Sequence, residues 1–359
     1  MKLRQLSYIK KSLTPNNNEW SVDELQLMDI NLVVGKNAIG KSRVVKLINK
    51  AASIINGIAV DDSFNGATSV TEWQLHFETA NGSSLKFDFT SSLDMFDSEK
   101  IYFDEKLVLD RTKDNTQIYS YINGLISIAP PLDRLTLQVR RDQKEFPFFE
   151  DIVKWAKQLR FFDFTAIDPL DVTSKSLEYH PVNLLERLSL ASKQNVILAF
   201  NTIGYQIKDI FVEKRLGGAP RLHVVEEGLI NSIVDSEMSQ GMLRALSVLI
   251  FIENLVSNNN VSTVIIDDLS EGLDYERATK LGKLLVEKLE NSNIQFIATS
   301  NDSFLMDVIP IKYWNILQRD GNTVRALNYQ NSKEQFDKFR MTGLSNFDLF
   351  SSDYLLQKL

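Results

Sequence analysis

The chain has 359 residues, 43% of them hydrophobic, enough for one large core or two lobes. It contains no cysteine, which excludes a disulfide framework, a thiol nucleophile and a cysteine-based zinc site, and is compatible with a cytoplasmic protein. A net charge of −7 argues mildly against a chain that coats nucleic acid, although a local groove could still be basic, and Met1-Lys2-Leu3-Arg4 lacks the apolar stretch of a signal peptide.

Residues 1–60 read as an entry strand, a turn at Thr14-Pro15-Asn16-Asn17-Asn18, a second strand near Glu24 to Leu27, and a short apolar strand from Ile30 to Val34. That last strand runs into Gly35-Lys36-Asn37-Ala38-Ile39-Gly40-Lys41-Ser42, which fits G-x-x-x-x-G-K-[ST], and Arg43 to Lys50 follows with helical spacing. The glycines let the backbone wrap with its N–H groups inward at a helix N-terminus, a nest for β- and γ-phosphates. Lys41 adds a positive charge to those phosphates and Ser42 a hydroxyl for Mg²⁺. The bland alternative is a glycine-rich turn without ligand, against which the flanking strand and helix weigh.

Residues 70–110 alternate as antiparallel strands do, in Trp73-Gln74-Leu75-His76-Phe77-Glu78 and Leu85-Lys86-Phe87-Asp88-Phe89. Leu132 to Leu159 reads as helical, Phe149 to Trp155 included. Arg140, Arg141 and Lys144, with Lys154 and Lys157 nearby, are the best basic candidates for nucleic acid, a solvated helix face being the simpler reading. Pro147, Pro169, Pro181 and Pro220 break the middle of the chain, which has no heptad run; Val182 to Ile207 supplies one or two ordinary helices, with Asn195 to Ile203 as core. His76, His180 and His223 stand far apart in no metal-ligand spacing and read as structural or surface residues.

The second half carries Met238-Ser239-Gln240-Gly241-Met242-Leu243-Arg244, then an apolar helical run from Ala245 to Val256. That run is short and interrupted by Glu253 and Asn254, so no stretch is expected to cross a membrane. Val264-Ile265-Ile266-Asp267-Asp268 is an apolar strand ending in two acids, where the first carboxylate can order Mg²⁺ and the second can position water. Glu271-Gly272-Leu273-Asp274 follows, and a further apolar strand, Ile294 to Ala298, ends at Thr299-Ser300-Asn301. From Phe336 onward Phe339, Phe347, Phe350 and Tyr354 surround Gly343-Leu344-Ser345-Asn346; packing onto the second lobe is the bland reading, docking of a partner the sharper one.

This order of motifs resembles the ABC-type ATPases, and within them the soluble RecF-like, SMC-like and OLD-like branch. The resemblance rests on roughly 1–50 and 230–310. It implies an α/β P-loop NTPase fold of ABC-ATPase type, a central mixed or parallel sheet with an antiparallel β lobe and a helical subdomain. One domain is expected over 1–359, with lobe I at about 1–130, a helical intervening region at about 131–230, lobe II at about 231–330 and a tail at 331–359. Met238 to Met242 is similar to the family signature, whose serine opens a helix and closes, with Gln240 and Gly241, over the γ-phosphate held by a second subunit; Glu271 to Asp274 matches the D-loop, which adds Asp274 to the nucleotide contacts. Asn301 falls at the switch-histidine position, and Gln138 is the choice for the glutamine that senses Mg²⁺ and water.

The implied protein therefore binds ATP and Mg²⁺ with Gly35, Lys36, Asn37, Ala38, Ile39, Gly40, Lys41, Ser42 and Arg43, and pairs with a second copy around ATP. Two departures from the family point toward slow hydrolysis. Asp268 stands where a glutamate is usual, one methylene shorter, and Asn301 cannot carry a proton. The leading expectation is a cytoplasmic, ATP-driven switch of a separately encoded effector, in phage defence or a toxin–antitoxin system. The alternatives are a RecF-like DNA-repair ATPase that binds DNA itself and an ATP-locked scaffold without turnover.

Overall fold

The structure, a computed structural model, describes residues 1–13, 19–58, 69–92, 95–162, 180–214, 218–258 and 263–352. The expected turn at 14–18, Pro169 and Tyr354 lie outside the described residues. Strands β1 (Lys2–Ser12), β2 (Trp20–Gln26) and β3 (Ile30–Val34) lead into helix α1 (Lys41–Ile55), and β4 (Ser69–Glu78), β5 (Ser84–Ser92), β6 (Met95–Phe103), β7 (Lys106–Arg111), β8 (Thr116–Ser120) and β9 (Gly124–Ile128) follow. The middle holds α2 (Thr136–Val139), α3 (Pro147–Gln158), β10 (Arg160–Phe162), α4 (Pro181–Arg187), α5 (Leu190–Thr202), β11 (Ile207–Glu213), β12 (Arg221–Glu226) and β13 (Ile233–Val234). The last part holds α6 (Gln240–Ser257), β14 (Thr263–Ile266), α7 (Tyr275–Glu290), β15 (Gln295–Thr299), α8 (Ser303–Val308), β16 (Trp314–Asp320), β17 (Thr323–Asn328), α9 (Lys333–Arg340) and α10 (Asn346–Ser351).

Among the described residues fourteen strands form one mixed sheet in the order β10-β14-β15-β3-β16-β17-β2-β1-β4-β5-β6-β7-β8-β9. Its first five strands run parallel, and β1 with β4 to β9 makes an antiparallel lobe. The parallel strands are buried on both faces, which is why they read as continuous apolar runs. Alternate residues serve opposite layers. Leu32, Val34, Val264, Ile266 and Ala298 pack in one core cluster with residues of α4, α5, α6 and α7, whereas Val33, Ile265 and Ile297 pack in the other with α1 and α3. Helix α1 buries Val44, Val45, Leu47, Ile48, Ala51, Ala52 and Ile55, a stripe at helical spacing whose larger members each contribute about 1.5–3 kcal/mol.

Buried amides tie the strands in register. Asn31 on β3 donates to the Phe296 carbonyl and accepts from Asn315 on β16 at 3.2 Å, and Asn315 in turn accepts from Asn328 on β17 at 3.0 Å. Each amide in this ladder would cost free energy if left unpaired.

Three expectations need correction. The helix over Leu132 to Leu159 is broken: Asp142 accepts the amides of Lys144 and Glu145 in a turn, and Pro147 restarts the helix where its missing N–H costs nothing. The helical intervening region contains the antiparallel sheet β11-β12-β13, in which Ile207, Ile210, Leu222 and Val224 are buried. Finally, α6 begins five residues before Ala245, and its 18 residues, of mean hydropathy 1.2, are long and apolar enough to cross a membrane. It is nonetheless 72% buried within the fold, and its Glu253 is held by Lys288 of α7 and by Asn195 of α5 at 2.9 Å. Phe336 and Phe339 are fully buried, with Phe347 and Phe350 packed on the same core, so the described aromatics of the tail pack onto the fold.

Candidate functional site

The parallel strands β3, β14 and β15 lie side by side, and the loops leaving their C-terminal ends meet at one edge of the sheet, where open α/β sheets bind ligands. Gly35 to Gly40 leave β3 as a tight loop in which Ala38 and Gly40 both have left-handed backbone conformation, with φ of 63° and 112°. Such alternation turns successive N–H groups toward a common centre, and Gly40 supplies it at the first residue before α1, where a side chain would be strained. Gly35 is buried, Lys36, Asn37 and Ala38 are exposed, and Ile39 and Gly40 are half-buried.

Lys41 is buried and curls back, donating from Nζ to the Gly35 carbonyl at 2.8 Å. Burial holds its ammonium below the ordinary lysine value, with the negative charges of Asp268 and Asp267 opposing the shift. Both acids follow β14, which is separated from β3 by β15 alone and runs parallel to it, so they leave the sheet on the same edge as the phosphate loop. Arg43 lies over the Trp20 ring, 3.9 Å from its centroid, a neighbour not legible from the motif.

Asp267 and Asp268 follow β14 and are half-buried. The Thr299 hydroxyl, at the end of β15, donates to Asp267 Oδ1 at 2.6 Å and accepts from the Asp268 amide at 2.8 Å. Asp268 has a φ of 54°, a left-handed conformation that costs a non-glycine residue about 1–2 kcal/mol and signals a position held by its surroundings. Burial, Asp267 and Glu271 raise its carboxyl above the ordinary aspartate value, against Lys41 and Arg244. Next to Thr299, Ser300 is buried and bonded to Ser270 at 3.0 Å, and Asn301 is exposed with no hydrogen-bond partner among the described residues. The Ser42 hydroxyl and Asp267 Oδ2 likewise take no hydrogen bond among the described residues, and two such oxygens at the head of α1 and the end of β14 suit a hard divalent cation.

Ser239 caps α6, accepting the Met242 amide at 3.2 Å, and together with Gln240 it is exposed. Gly241 is pressed against the turn after Asp268: a Cβ there would stand 2.9 Å from the Gly272 carbonyl carbon and closer still to its oxygen. Arg244, one turn on, pairs with Glu271 at 2.5 Å, and the Glu271 amide donates to the Asp268 carbonyl at 3.1 Å. The helix that carries Ser239 is thus joined to the turn that carries Asp268. Asp274 caps α7 through the Arg277 amide and pairs with the Arg277 guanidinium.

Gln138 does not reach this edge. Its Nε2 donates to the Ile54 carbonyl at 2.6 Å and its Oε1 accepts from Leu135, so it caps the end of α1 opposite to the phosphate loop. At 1.5 Å per residue that end lies about 20 Å from Lys41. Gln138 is therefore a structural amide and not a metal ligand. The strand that neighbours β14 and ends on the same edge is β10, which begins directly after the Leu159 that closes α3. Of the basic candidates, Arg141 is engaged by Glu150.

Residues 30–307 match a family described as "AAA domain, putative AbiEii toxin, Type IV TA system". The chain belongs to this AAA-domain family. No curated protein matches it. In fold it is similar to an SMC head solved bound to the C-winged helix domain of ScpA, at a TM-score of 0.57 and 11% identity over 93% of this chain and 100% of that one. It is also similar to an SMC head domain with an extended coiled coil, bound to the C-terminal domain of ScpA derived from Pyrococcus furiosus, at 0.55 and 12% over 94% and 99%. This AAA domain is accordingly an ATP-binding P-loop ATPase, and its fold is that of SMC heads. What its motifs do not announce is the bridging by Thr299, the Gly241 contact and the Arg244 pair; each joins residues about 30 positions apart in sequence.

Proposed function

We propose that the protein is a cytoplasmic ATPase that hydrolyses ATP·Mg²⁺ slowly, pairs with a second copy around two nucleotides and passes the closure to a separately encoded effector. The observation that carries the hydrolytic part is the convergence of the Lys41 loop with Asp267 and Asp268 at the C-terminal ends of the parallel strands β3 and β14, which flank β15. In this reading Gly35 to Ser42 cradle the phosphates, and Lys41 exchanges the Gly35 carbonyl for a phosphate oxygen. Ser42 and Asp267 hold Mg²⁺, which when bound neutralises phosphate charge. Asp268 positions water, and Asn301 hydrogen-bonds the γ-phosphate or that water. The short Asp268 side chain supports a slow rate.

Ser239, exposed at a helix N-terminus beside the Gly272 turn, supports an anion site offered to a second copy, with Asp274 nearby. The whole chain is taken as one ATPase domain, since its sheet draws strands from both ends. SMC heads of this fold were solved with ScpA domains, which supports a protein partner, and the family description, with its AbiEii toxin and type IV toxin–antitoxin system, supports a defence or toxin–antitoxin setting. Calorimetry and phosphate release test the reading together. Lys41→Ala loses ATP binding while staying folded. Asp268→Asn keeps ATP and loses about 10²–10⁴-fold in turnover. Equal background release from wild type and Asp268→Asn rejects hydrolysis and leaves an ATP-locked scaffold.

A further inference from the structure

We propose that Thr299 is the positioning residue of the acid pair. One fully buried hydroxyl donates to the carboxylate of Asp267 and accepts the amide of Asp268, so the orientation of the first acid and the backbone of the second are fixed by the same group. The proton bookkeeping allows only one arrangement. The Asp268 amide must donate, which leaves the hydroxyl proton for Asp267 Oδ1 and turns Oδ2 away from Thr299, free for a cation. The amide bond also anchors the left-handed turn at Asp268, which has no glycine to relieve it.

The position of Thr299 makes the bridge rigid. It ends β15, the strand between β14 and β3, and its neighbours are pinned as well: the Ser300 amide donates to the Val33 carbonyl at 3.3 Å, the Leu269 amide to the Thr299 carbonyl at 3.0 Å, and Ser300 bonds Ser270. Thr299 thus sits between the acid strand and the phosphate-loop strand. It acts through Asp267 and Asp268, and the inference rests on the ATPase reading of that site.

Thr299→Val preserves shape and removes the hydroxyl, whereas Thr299→Ser preserves the hydroxyl and removes a methyl. Three quantities separate positioning from packing: ATP affinity without Mg²⁺ by calorimetry, the tightening of that affinity by Mg²⁺, and phosphate release. Thr299→Val is expected to keep Mg²⁺-free affinity within about twofold, to lose most of the Mg²⁺-dependent tightening, and to turn over about 10–100-fold more slowly. Thr299→Ser is expected within about threefold of wild type on all three. Wild-type tightening and turnover in Thr299→Val overturn the proposal, as does a Thr299→Ser protein as impaired as the valine variant. If Thr299→Val does not fold, Thr299→Cys, with a weak thiol donor of similar size, replaces it; wild-type values there count against the bridge and intermediate values support it. A wild type without phosphate release refutes the ATPase reading alone, and the Mg²⁺-dependent tightening still decides on Thr299.

Discussion

Replacing Gly241 with alanine sets two effects of known sign against each other. Gly241 is the second residue of α6, and in an unencumbered helix Gly→Ala stabilises by up to about 1 kcal/mol. Here the added methyl would lie 2.9 Å from the Gly272 carbonyl carbon, nearer its oxygen, and 3.3 Å from the Leu273 side chain. The obstruction is backbone and cannot rotate away. The start of α6 and the turn must part by about 1 Å, and overpacking of this kind costs about 1–3 kcal/mol, which outweighs the helical gain. Because Glu271 and Arg244 tie that turn to Asp268, the displacement reaches the acid, and an error of about 1 Å in a reacting group costs about 10²-fold in rate. The phosphate loop is spared, since α1 packs on the other face of the sheet. Urea denaturation and phosphate release measure the two consequences. Gly282→Ala is the control, as its methyl meets first the Cδ1 end of Leu305, a side chain able to give. A Gly241→Ala protein with an unchanged or higher urea midpoint and wild-type turnover would refute the close-approach argument.

Ser239→Arg should bind ATP as wild type does yet fail to form an ATP-dependent dimer; light scattering with and without ATP decides, and an unchanged dimer counts against the in-trans assignment. Gln138→Ala should lower stability by about 1–3 kcal/mol through the uncapped Ile54 carbonyl while leaving the Mg²⁺ dependence of turnover unaltered, and an altered metal dependence would return Gln138 to the site. Burial and Lys86 hold His76 below the ordinary histidine value, with Asp88 and Glu24 opposing. The unfolded chain therefore takes up this proton first, and stability falls as pH drops through about 6.5. His76→Gln should lose less stability than wild type between pH 7.5 and 5.5 in urea titrations, and an equal loss would show that His76 does not contribute.

The site was largely legible because its parts are local. Gly35 to Ser42, the acids after β14, the serine before α6 and the polar end of β15 are short patterns whose chemistry depends on adjacent residues, and apolar runs mark the strands that carry them. The place of Gln138 is not legible because motif order says nothing about which end of α1 a later residue meets, and that contact spans 84 positions. The strands β11 to β13 are not legible in the sequence for a related reason: a two- to seven-residue strand is stabilised by its partners, not by its own pattern.

By itself the sequence determined the phosphate loop, the acid pair, the helix cap at Ser239 and the parallel strands between them, since each follows from backbone geometry and periodicity within about ten residues. Only the tertiary structure decided that Thr299 bridges both acids, that Gly241 and Gly272 meet backbone to backbone, that the buried Glu253 pairs with Lys288, and that asparagines 284 positions apart share a ladder. Those contacts arise when the sheet brings distant segments together, and the cost of burying an unpaired polar group then selects the partner.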